Sequence, residues 1–331
     1  MNAPFFPVQR SVLQTAALTD RVLSNYTLDA PITCQLYHRG MNDTYLVTAD
    51  DFQGMLRISL GGWRTQAHIE AEITLLQWLG EHGFTTPQPI RRQDGAYLQS
   101  LHAPEGERYA VLFTFVDGEP SADLDPEQSR CYGQLVARLH CATDEIPPLA
   151  RFHHDTEHLI DQSLRHFRPY FAHAPEATDF LTTVREQLRT VVEQLPQTAP
   201  IYGLCHGDLR AEHIYFRDEG APSLIDFDEA GYGWRIYDIS TFIWPLVFPG
   251  NSDADGALRN AFLAGYQTVR PLSTAELTAL PYFVLLRHLW AAGTAARYFP
   301  LDLGVKHINP LLEPALWFMQ QWLAEIDSQP Q

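Results

Sequence analysis

The amino-acid sequence predicts an α+β fold in two lobes, a small antiparallel β-sheet lobe followed by a larger, mainly α-helical lobe. Between residues 32 and 115, short apolar runs alternate with turn-forming residues, which is typical of antiparallel strands. Beyond residue 125 the apolar residues recur at helical spacing over long segments, which indicates amphipathic helices. The predicted division lies between residues 1–116 and residues 117–331.

The composition is that of a folded globular chain. It has 331 residues, of which 45% are hydrophobic and 19% are charged, so a sizeable core is expected. The formal net charge of −17 argues against nucleic acid or an anionic membrane surface as a partner. The four cysteines show no metal-binding spacing, and we find neither a signal-peptide pattern nor an apolar run of membrane-spanning length. We therefore expect a cytoplasmic protein; no pattern indicates its oligomeric state.

The first lobe is predicted to begin with a helix over residues 18–28, followed by a three-stranded meander. The meander strands are residues 32–36, 44–48 and 55–59. A second helix is expected over residues 66–82, because its apolar residues share one face and Gly83 can end it. Two further strands are expected near residues 97–98 and 110–115.

One carboxylate stands inside the apolar stripe of the second predicted helix. Glu72 shares this stripe with several buried leucine and isoleucine positions, and a carboxylate there is costly unless it is paired. Arg57, on the third predicted strand, is the natural partner. The sequence therefore predicts an ion pair between helix and sheet.

The second lobe is predicted to be helical on either side of one hairpin. Asp125-Pro126 supplies a capping residue and a proline for the first turn of a helix that ends at His140. The other predicted helices are residues 156–167, 174–195, 254–268, 274–298 and 310–326.

The predicted hairpin carries acidic residues at both of its strand edges. Its strands are residues 214–216 and 224–225, joined by the polar turn 217–222. Asp208 precedes the first strand and Asp226 follows the second, so the hairpin is expected to bring the two carboxylates close together. Two such acids can divide a phosphoryl transfer, one accepting a hydroxyl proton and the other holding magnesium. The hairpin therefore indicates a small-molecule kinase.

This region resembles the aminoglycoside phosphotransferase and choline kinase family, which is related to homoserine kinases, bacterial stress-response kinases and eukaryotic protein kinases. The family motif is His-Gly-Asp, four residues and usually Asn, then an Ile-Asp-aromatic run and an Asp in a Tyr-Asp-aliphatic context. The matching residues are His206-Gly207-Asp208, His213, Asp226-Phe227 and Tyr237-Asp238. The resemblance covers about residues 30–325 and implies a bilobal protein-kinase-like fold, with ATP and Mg²⁺ as cofactors.

The resemblance also implies roles for the motif residues. Asp208 is expected to be the catalytic base, and His206, within the same catalytic motif, is expected to bond backbone near the loop. Asp226 is expected to hold magnesium on the terminal phosphates. Asp238 corresponds to a buried aspartate that ties the backbone of the catalytic loop in place.

In the first lobe the resemblance implies a nucleotide site. The loop over residues 38–44, with Gly40 and Asn42, corresponds to the loop that covers the phosphates. Arg57, where Lys is commoner, is expected to bind phosphate while Glu72 holds it, and backbone near Phe113 and Thr114 is expected to hold adenine. A polar hairpin turn, a plain ion pair and an aromatic core strand remain alternative interpretations of these residues.

Two motif positions leave alternatives open. His213 stands where the family usually has Asn, and imidazole is a poorer ligand than an amide oxygen for Mg²⁺. The imidazole could still coordinate a metal, could contact phosphate, or could mark a site that has lost a ligand. Asp228 could add a second carboxylate to the metal site or could face solvent.

The sequence contains little information about the identity of the acceptor. Candidate lining residues are Trp234, Arg235, Tyr237, Arg287, His288 and Trp290, each of which could equally be packing. Aromatic residues suit a quaternary ammonium, acids suit an aminoglycoside, and arginines suit a carboxylate such as that of homoserine. We expect an ATP-dependent phosphotransferase acting on a hydroxyl of a small molecule; a bacterial Ser/Thr protein kinase and a nucleotide-binding pseudokinase are the alternatives.

Overall fold

A computed structural model describes residues 6–120, 124–216, 222–248, 253 and 255–328. The contacts between residues divide the chain into two compact units. The first unit comprises Met1–Glu119, Pro148–Arg151 and Tyr215–Asp228, and the second comprises Pro120–Pro147, Phe152–Ile214 and Glu229–Gln331. Each unit is therefore assembled from separate pieces of the chain, and the boundary at residue 116 stays a prediction.

A five-stranded antiparallel sheet dominates the first unit. Its strands are β1 (Thr33–Arg39), β2 (Asn42–Ala49), β3 (Phe52–Ser59), β4 (Leu98–Ala103) and β5 (Gly106–Thr114). Their order across the sheet is β1-β2-β3-β5-β4, and all adjacent pairs are antiparallel. Alternate residues of β2 are buried, because successive side chains of a strand point to opposite faces. The predicted meander is confirmed, and the last two predicted strands are longer than their apolar runs.

The first predicted helix differs from the observed one. Helix α1 spans Thr15–Arg21, and a 3₁₀ turn follows over Leu23–Asn25. The predicted helix over residues 18–28 was wrong in its limits because Ser24 and Asn25 satisfy backbone carbonyls with their own side chains. Ser24 Oγ donates to Asp20 O at 2.7 Å, and Asn25 Nδ2 donates to Arg21 O at 2.9 Å. Such local bonds compete with continuation of a helix.

Helix α2 (Gln66–Glu81) lies in the first unit, close to its predicted limits. The Thr65 side chain accepts a hydrogen bond from the His68 N–H at its start, and Gly83 has the left-handed φ of 79° beyond its end. Its buried residues include Glu72. The sequence pattern thus correctly predicted both the helix and the burial of the Glu72 carboxylate.

Both strands of the predicted hairpin are present. Strand β9 spans Ile214–Phe216 and β10 spans Ser223–Leu224, and β9 lies between β10 and β6 (Glu119–Pro120) in a three-stranded sheet. Ile225 therefore lies outside the strand that was predicted for it. Of the predicted turn, residues 217–221 lie outside the described residues.

The second unit is mainly helical. Its helices are α3 (Pro126–Ala142), α4 (Gln162–Phe167), α5 (Pro175–Glu193), α6 (Arg235–Leu246), α7 (Ala257–Val269), α8 (Thr274–Leu303) and α9 (Asn309–Ser328). A π-helical turn over Glu157–Asp161 precedes α4. Strands β7 (His153–His154), β11 (Gly231–Trp234) and β8 (Tyr202–Cys205) form a small mixed sheet in that order. The predicted α+β class, with an antiparallel sheet and a separate helical part, is confirmed.

Helix α6 was not predicted. Every residue from Arg235 to Ile243 is buried, so the helix has no solvent-exposed face along most of its length. A helix that is buried all round shows no 3.6-residue alternation between apolar and polar residues. The pattern that revealed the other helices is therefore missing here.

The described residues include no helix that is both long enough and apolar enough to cross a bilayer.

A buried histidine in the second unit predicts a specific pH dependence of stability. His288 on α8 accepts a hydrogen bond from Trp244 Nε1 at 3.0 Å and donates to Ala315 O at 3.0 Å. Burial lowers the pKa of His288 to about 4, whereas the unfolded chain protonates histidine near pH ~6.5. As the pH falls through this window, only the unfolded state takes up the proton, so the folded state loses stability.

We expect His288→Gln to flatten this dependence. The slope of the free energy of unfolding between pH 4 and 6.5 should become shallower by up to ~1.4 kcal/mol per pH unit, the equivalent of one proton. The measurement is urea unfolding at several pH values. The matched control is His173→Gln, which changes an exposed histidine and should leave the slope as it is. An unchanged slope in His288→Gln would contradict the assignment.

Candidate active site

The His-Gly-Asp segment of the second unit directly follows β8. Gly207 has a φ of 85°, and a Cβ atom there would lie 2.3 Å from the Glu229 carbonyl oxygen. Only glycine satisfies both demands. Asp238 on α6 accepts the His206 N–H at 2.7 Å and the Gly207 N–H at 2.6 Å. The buried carboxylate thus fixes the backbone that presents Asp208.

A second layer of hydrogen bonds holds Asp238. His140 on α3 donates from Nε2 to Asp238 Oδ2 at 2.8 Å, and its Nδ1 accepts from the Tyr266 hydroxyl at 2.8 Å. Burial lowers the pKa of His140 to about 4, which keeps the ring neutral. Burial alone would raise the pKa of Asp238, but the bonds from His140 and the Gly207 N–H lower it. Asp238 is therefore an ionised anchor.

Asp208 is surrounded by cationic and imidazole groups of the same unit. Arg287 Nη2 donates to Asp208 Oδ1, and Arg210 Nε lies 3.4 Å from Asp208 Oδ2. The Asp208 N–H donates to His206 Nδ1 at 3.3 Å. Burial would raise the pKa of Asp208, but Arg287, His213, Arg210 and His206 lower it. The carboxylate is thus held ionised and oriented, as a group that positions an acceptor hydroxyl requires.

The sequence had placed Arg287 among possible acceptor contacts, whereas the structure places it on Asp208. The Arg287 guanidinium is buried and also donates to Gly207 O at 3.3 Å and to the Tyr237 hydroxyl at 3.4 Å. It lies over the rings of Trp290 and Trp244, with centroid distances of 4.5 and 5.4 Å. Its fork is therefore already occupied by protein acceptors.

Two other candidates for acceptor contact are buried and bonded to protein groups. Arg235 is fully buried, and its Nη2 lies 2.5 Å from Asp144 Oδ1. Trp234 is also buried, and its Nε1 donates to Leu195 O at 3.3 Å. Both side chains belong to the core of the second unit.

His213 has both ring nitrogens engaged within the second unit. Nδ1 lies 2.7 Å from Asp208 O, and Nε2 lies 3.0 Å from Arg210 Nη2. A carbonyl only accepts and a guanidinium only donates, so Nδ1 carries the proton and Nε2 accepts. In this arrangement the imidazole braces the loop that carries Asp208. Its role as a metal ligand stays a prediction, and the geometry favours the reading in which the usual ligand is lost.

In the first unit, Arg57 and Glu72 form the predicted ion pair. Arg57 Nη1 donates to Glu72 Oε1 at 2.8 Å and Nη2 donates to Oε2 at 2.6 Å. The Arg57 guanidinium lies 4.9 Å from the centroid of the Phe113 ring. Burial opposes its charge, but Glu72 keeps the Arg57 pKa raised. This pair fixes one cation on the central strand of the sheet.

Asp228 does not face solvent, so that alternative was wrong, and its role as a second carboxylate of the metal site stays a prediction. It is 5% exposed. Trp63 Nε1 donates to Asp228 Oδ2 at 2.6 Å, and Arg64 Nη2 lies 3.4 Å from the same oxygen. Arg151 Nη2 donates to Asp228 O at 2.5 Å. Burial would raise the pKa of Asp228, but Arg64, Arg57, Trp63 and Arg151 lower it to about 2. Asp228 is the anchor of its segment.

Asp226, two residues before this anchor, has an unusual backbone. Its φ is 64°, the one left-handed value among the non-glycine residues that the structure describes, and its side chain is exposed. A non-glycine residue with left-handed φ is strained, and it persists only where the surrounding structure holds the backbone in place. Such residues are concentrated at functional sites. The buried Asp228 supplies that fixation.

The two aspartates predict opposite phenotypes for the same substitution. Asp228→Asn leaves Arg64 and Arg151 buried beside a neutral side chain, so the free energy of unfolding should fall by roughly 3 kcal/mol. Asp226→Asn changes an exposed side chain to a residue that also tolerates the left-handed region, so it should change stability by less than ~0.5 kcal/mol. Urea unfolding of both variants is the measurement. Equal stabilities would contradict the anchoring role of Asp228.

The donor set fits a magnesium ion in part. Mg²⁺ takes oxygen ligands and usually keeps several waters. Within the first unit, the exposed carboxylate of Asp226 is such a ligand. The residues therefore suit a metal held by one carboxylate together with phosphate oxygens and water.

The remaining predicted nucleotide residues lie in the first unit. Gly40 lies in the turn between β1 and β2 and Asn42 begins β2, and the Gly40 N–H donates to Asn42 O at 3.0 Å. The N–H groups of Thr114 and Phe115 donate to Gln88 O and Gln53 O. Any adenine contact made by a backbone N–H after β5 must therefore come from beyond Phe115. The roles of Gly40, Asn42, Phe113 and Thr114 stay predictions.

Comparison with known proteins identifies the family to which the chain is similar. The model of the phosphotransferase enzyme family matches residues 35–272. A Deinococcus radiodurans protein described as uncharacterized is 35% identical over 328 residues, which is 97% of this chain and 93% of that protein. A Rhodospirillum rubrum homoserine kinase is 32% identical over 232 residues, covering 68% of this chain and 65% of the kinase. This chain thus spans just under two thirds of that homoserine kinase.

Solved structures give the same fold. A microcompartment-associated aminopropanol kinase superimposes with a TM-score of 0.81 at 24% identity, over 95% of this chain and 99% of that chain. An amicoumacin kinase in complex with AMP-PNP, Ca²⁺ and Ami superimposes with a TM-score of 0.75 at 20% identity, over 93% of this chain and 94% of that chain. The predicted kinase-like fold and the resemblance are confirmed. The chain belongs to the phosphotransferase enzyme family and is itself a phosphotransferase.

Proposed function

We propose that this protein transfers the γ-phosphoryl group of ATP to a hydroxyl group of a small molecule. The observation that carries the proposal is the state of Asp208, an ionised carboxylate oriented by Arg287 and presented by a backbone that Asp238 fixes. Phosphoryl transfer needs mainly positioning and charge stabilisation. A carboxylate held in this way can orient the acceptor hydroxyl and take its proton as the new P–O bond forms.

The nucleotide would use the residues described for the first unit. Arg57, held by Glu72, would contact phosphate, and Asp226 would hold Mg²⁺ on the phosphate oxygens. The metal, when bound, neutralises charge on the phosphates. The amicoumacin kinase structure contains AMP-PNP and Ca²⁺, which supports a nucleotide and a divalent metal for this chain.

The aromatic rings beside Arg287 favour an acceptor that carries an amino group. Arg287 is bonded to Asp208 and Tyr237, so its fork is not available for an acceptor carboxylate. The buried Glu229 carboxylate also acts electrostatically on Arg287 and Tyr237. Arg287 and Arg210 together balance these two acids, so the feature that favours a cationic acceptor is the pair of Trp244 and Trp290 rings, which can contact a cation. We therefore propose an amino alcohol as the acceptor, in line with the aminopropanol kinase that shares this fold.

Homoserine is the second candidate acceptor. The observation in its favour is the 32% identity to a homoserine kinase. Homoserine is itself an amino alcohol, but it carries a carboxylate that would need a cation other than Arg287. A preference for acceptors without a carboxylate would separate the two candidates.

An acceptor panel tests the proposal. ADP release from Mg·ATP would be measured with 1-aminopropan-2-ol, choline, homoserine and spectinomycin, on wild type and on Asp208→Asn. Release that depends on one of the first two acceptors and is lost in the variant is the expected result. Dependence on homoserine would support the second candidate. Phosphate on protein with no stimulated release would favour a protein kinase, and no release with any acceptor would contradict the proposed enzyme.

A further inference from the structure

The segment before α1, residues 6–14, lies outside the residues that the family model matches. It crosses the first unit between two tips of the five-stranded sheet. The Ser11 hydroxyl donates to Glu105 Oε2 at 2.8 Å, in the turn between β4 and β5. Arg10 Nη2 donates to Gly40 O at 2.6 Å, in the turn between β1 and β2. We call residues 6–14 the N-terminal arm.

The turn that Arg10 contacts has all of its carbonyl groups turned to protein donors. Gly40 O accepts from Arg10, Met41 O accepts from the Leu60 N–H at 3.2 Å, and Asn42 O accepts from the Gly40 N–H at 3.0 Å. Successive carbonyl oxygens would repel a phosphate, whereas N–H groups attract it. Of these three carbonyls, only that of Gly40 depends on a side chain.

Arg10 is itself held firmly. Its side chain is 4% exposed, and Nη2 also lies 2.9 Å from Asp43 Oδ1 at the start of β2. Asp43 receives a second guanidinium from Arg108, at 2.7 Å from Oδ2, and both of these side chains are fully buried. Because Arg108 remains on Asp43 when Arg10 is removed, the sheet keeps one complete buried ion pair.

We propose that Arg10 is a positioning residue for the nucleotide, which holds the Gly40 carbonyl away from the triphosphate and so keeps the loop over Gly40 and Asn42 competent to cover the phosphates. The proposal rests on the proposed function, because it takes this loop to be the phosphate-covering loop. Arg10 acts on the nucleotide through the loop backbone. Its loss should therefore weaken nucleotide binding and leave the acceptor site as it is.

The test compares Arg10→Ala with Ser11→Ala. Arg10→Ala should raise the Kd for ATP by about tenfold, the effect of one charge-assisted hydrogen bond, with an equal rise in the KM for ATP. The KM for the acceptor and kcat should stay within about twofold of wild type. Ser11→Ala, which loses the hydroxyl bonds to Glu105 in the same arm, should bind ATP as wild type does. Hydrogen exchange of residues 40–42 should be faster in Arg10→Ala alone.

The outcomes distinguish a failure of the proposed function from a failure of the positioning role of Arg10. If wild type does not bind ATP, the proposed function fails before the role of Arg10 is reached. If wild type binds ATP and Arg10→Ala binds it equally well, the positioning role is wrong. Should Arg10→Ala fail to fold, Arg10→Met takes its place, because it keeps an unbranched side chain of similar length but has no donor for the Gly40 carbonyl. A Kd for ATP unchanged in Arg10→Met, with unchanged exchange of residues 40–42, would also overturn the proposal.

Discussion

Asp208→Asn is expected to lower kcat by at least about a thousandfold, the effect of removing a group that orients and deprotonates the nucleophile. The substitution keeps an oxygen that can accept from Arg287, so the buried guanidinium retains a partner. The proposed ATP contacts are made by residues other than Asp208, so the Kd for ATP should change by less than about twofold. Single-turnover phosphoryl transfer and ATP titration are the two measurements.

The matched control for this variant is Asp179→Asn. Asp179 is exposed on α5, and its substitution should leave both kcat and the Kd for ATP at wild-type values. A kcat of Asp208→Asn within about tenfold of wild type would be incompatible with the role of a catalytic base. In that case orientation by Arg287 and the loop backbone would have to carry the reaction.

Asp226→Asn is expected to abolish the magnesium-dependent part of ATP binding. An amide oxygen is a weaker and uncharged ligand for a hard cation, and His213 uses its Nε2 on Arg210 in the second unit. Wild type should show a thermal shift with ATP that grows with the magnesium concentration, because binding to the folded state stabilises it. The variant should show the small shift of metal-free ATP at every magnesium concentration.

His213→Asn provides the comparison for the metal site. Asn restores the residue that the family motif usually has at this position, and it offers an amide oxygen suited to magnesium. If the usual ligand is lost in this chain, His213→Asn should lower the magnesium concentration that half-saturates turnover. A full magnesium dependence of the thermal shift in Asp226→Asn would show that another residue holds the metal.

The residues that the sequence located correctly share a local pattern. Arg57 and Glu72 could be paired in advance because a carboxylate stood inside an apolar helical stripe and a basic residue stood on the neighbouring strand. Asp125 was likewise marked by its capping position before Pro126. In each case the physical requirement is met by residues close in the chain or within one motif.

The residues that the sequence missed act over long separations. Arg151 reaches Asp228 across 77 positions, and Arg287 reaches Asp208 across 79. Arginine at an exposed position and arginine at a buried one look alike in a sequence, because only tertiary structure decides which carboxylate is near. Helix α6 was missed for the opposite reason, since its complete burial removes the periodic signal. His140 was recognised only as the end of a helix, although it holds Asp238.

The most direct measurement of the central claim is the fate of the γ-phosphoryl group. ATP whose γ-phosphate carries heavy oxygen would be incubated with the protein, magnesium and the best acceptor, and the product analysed by mass spectrometry. Attack by the acceptor hydroxyl on the γ-phosphorus predicts a phosphoester with three heavy oxygens and one light bridging oxygen, absent in Asp208→Asn. Heavy oxygen in free phosphate alone, at the same rate with and without acceptor, would contradict the account.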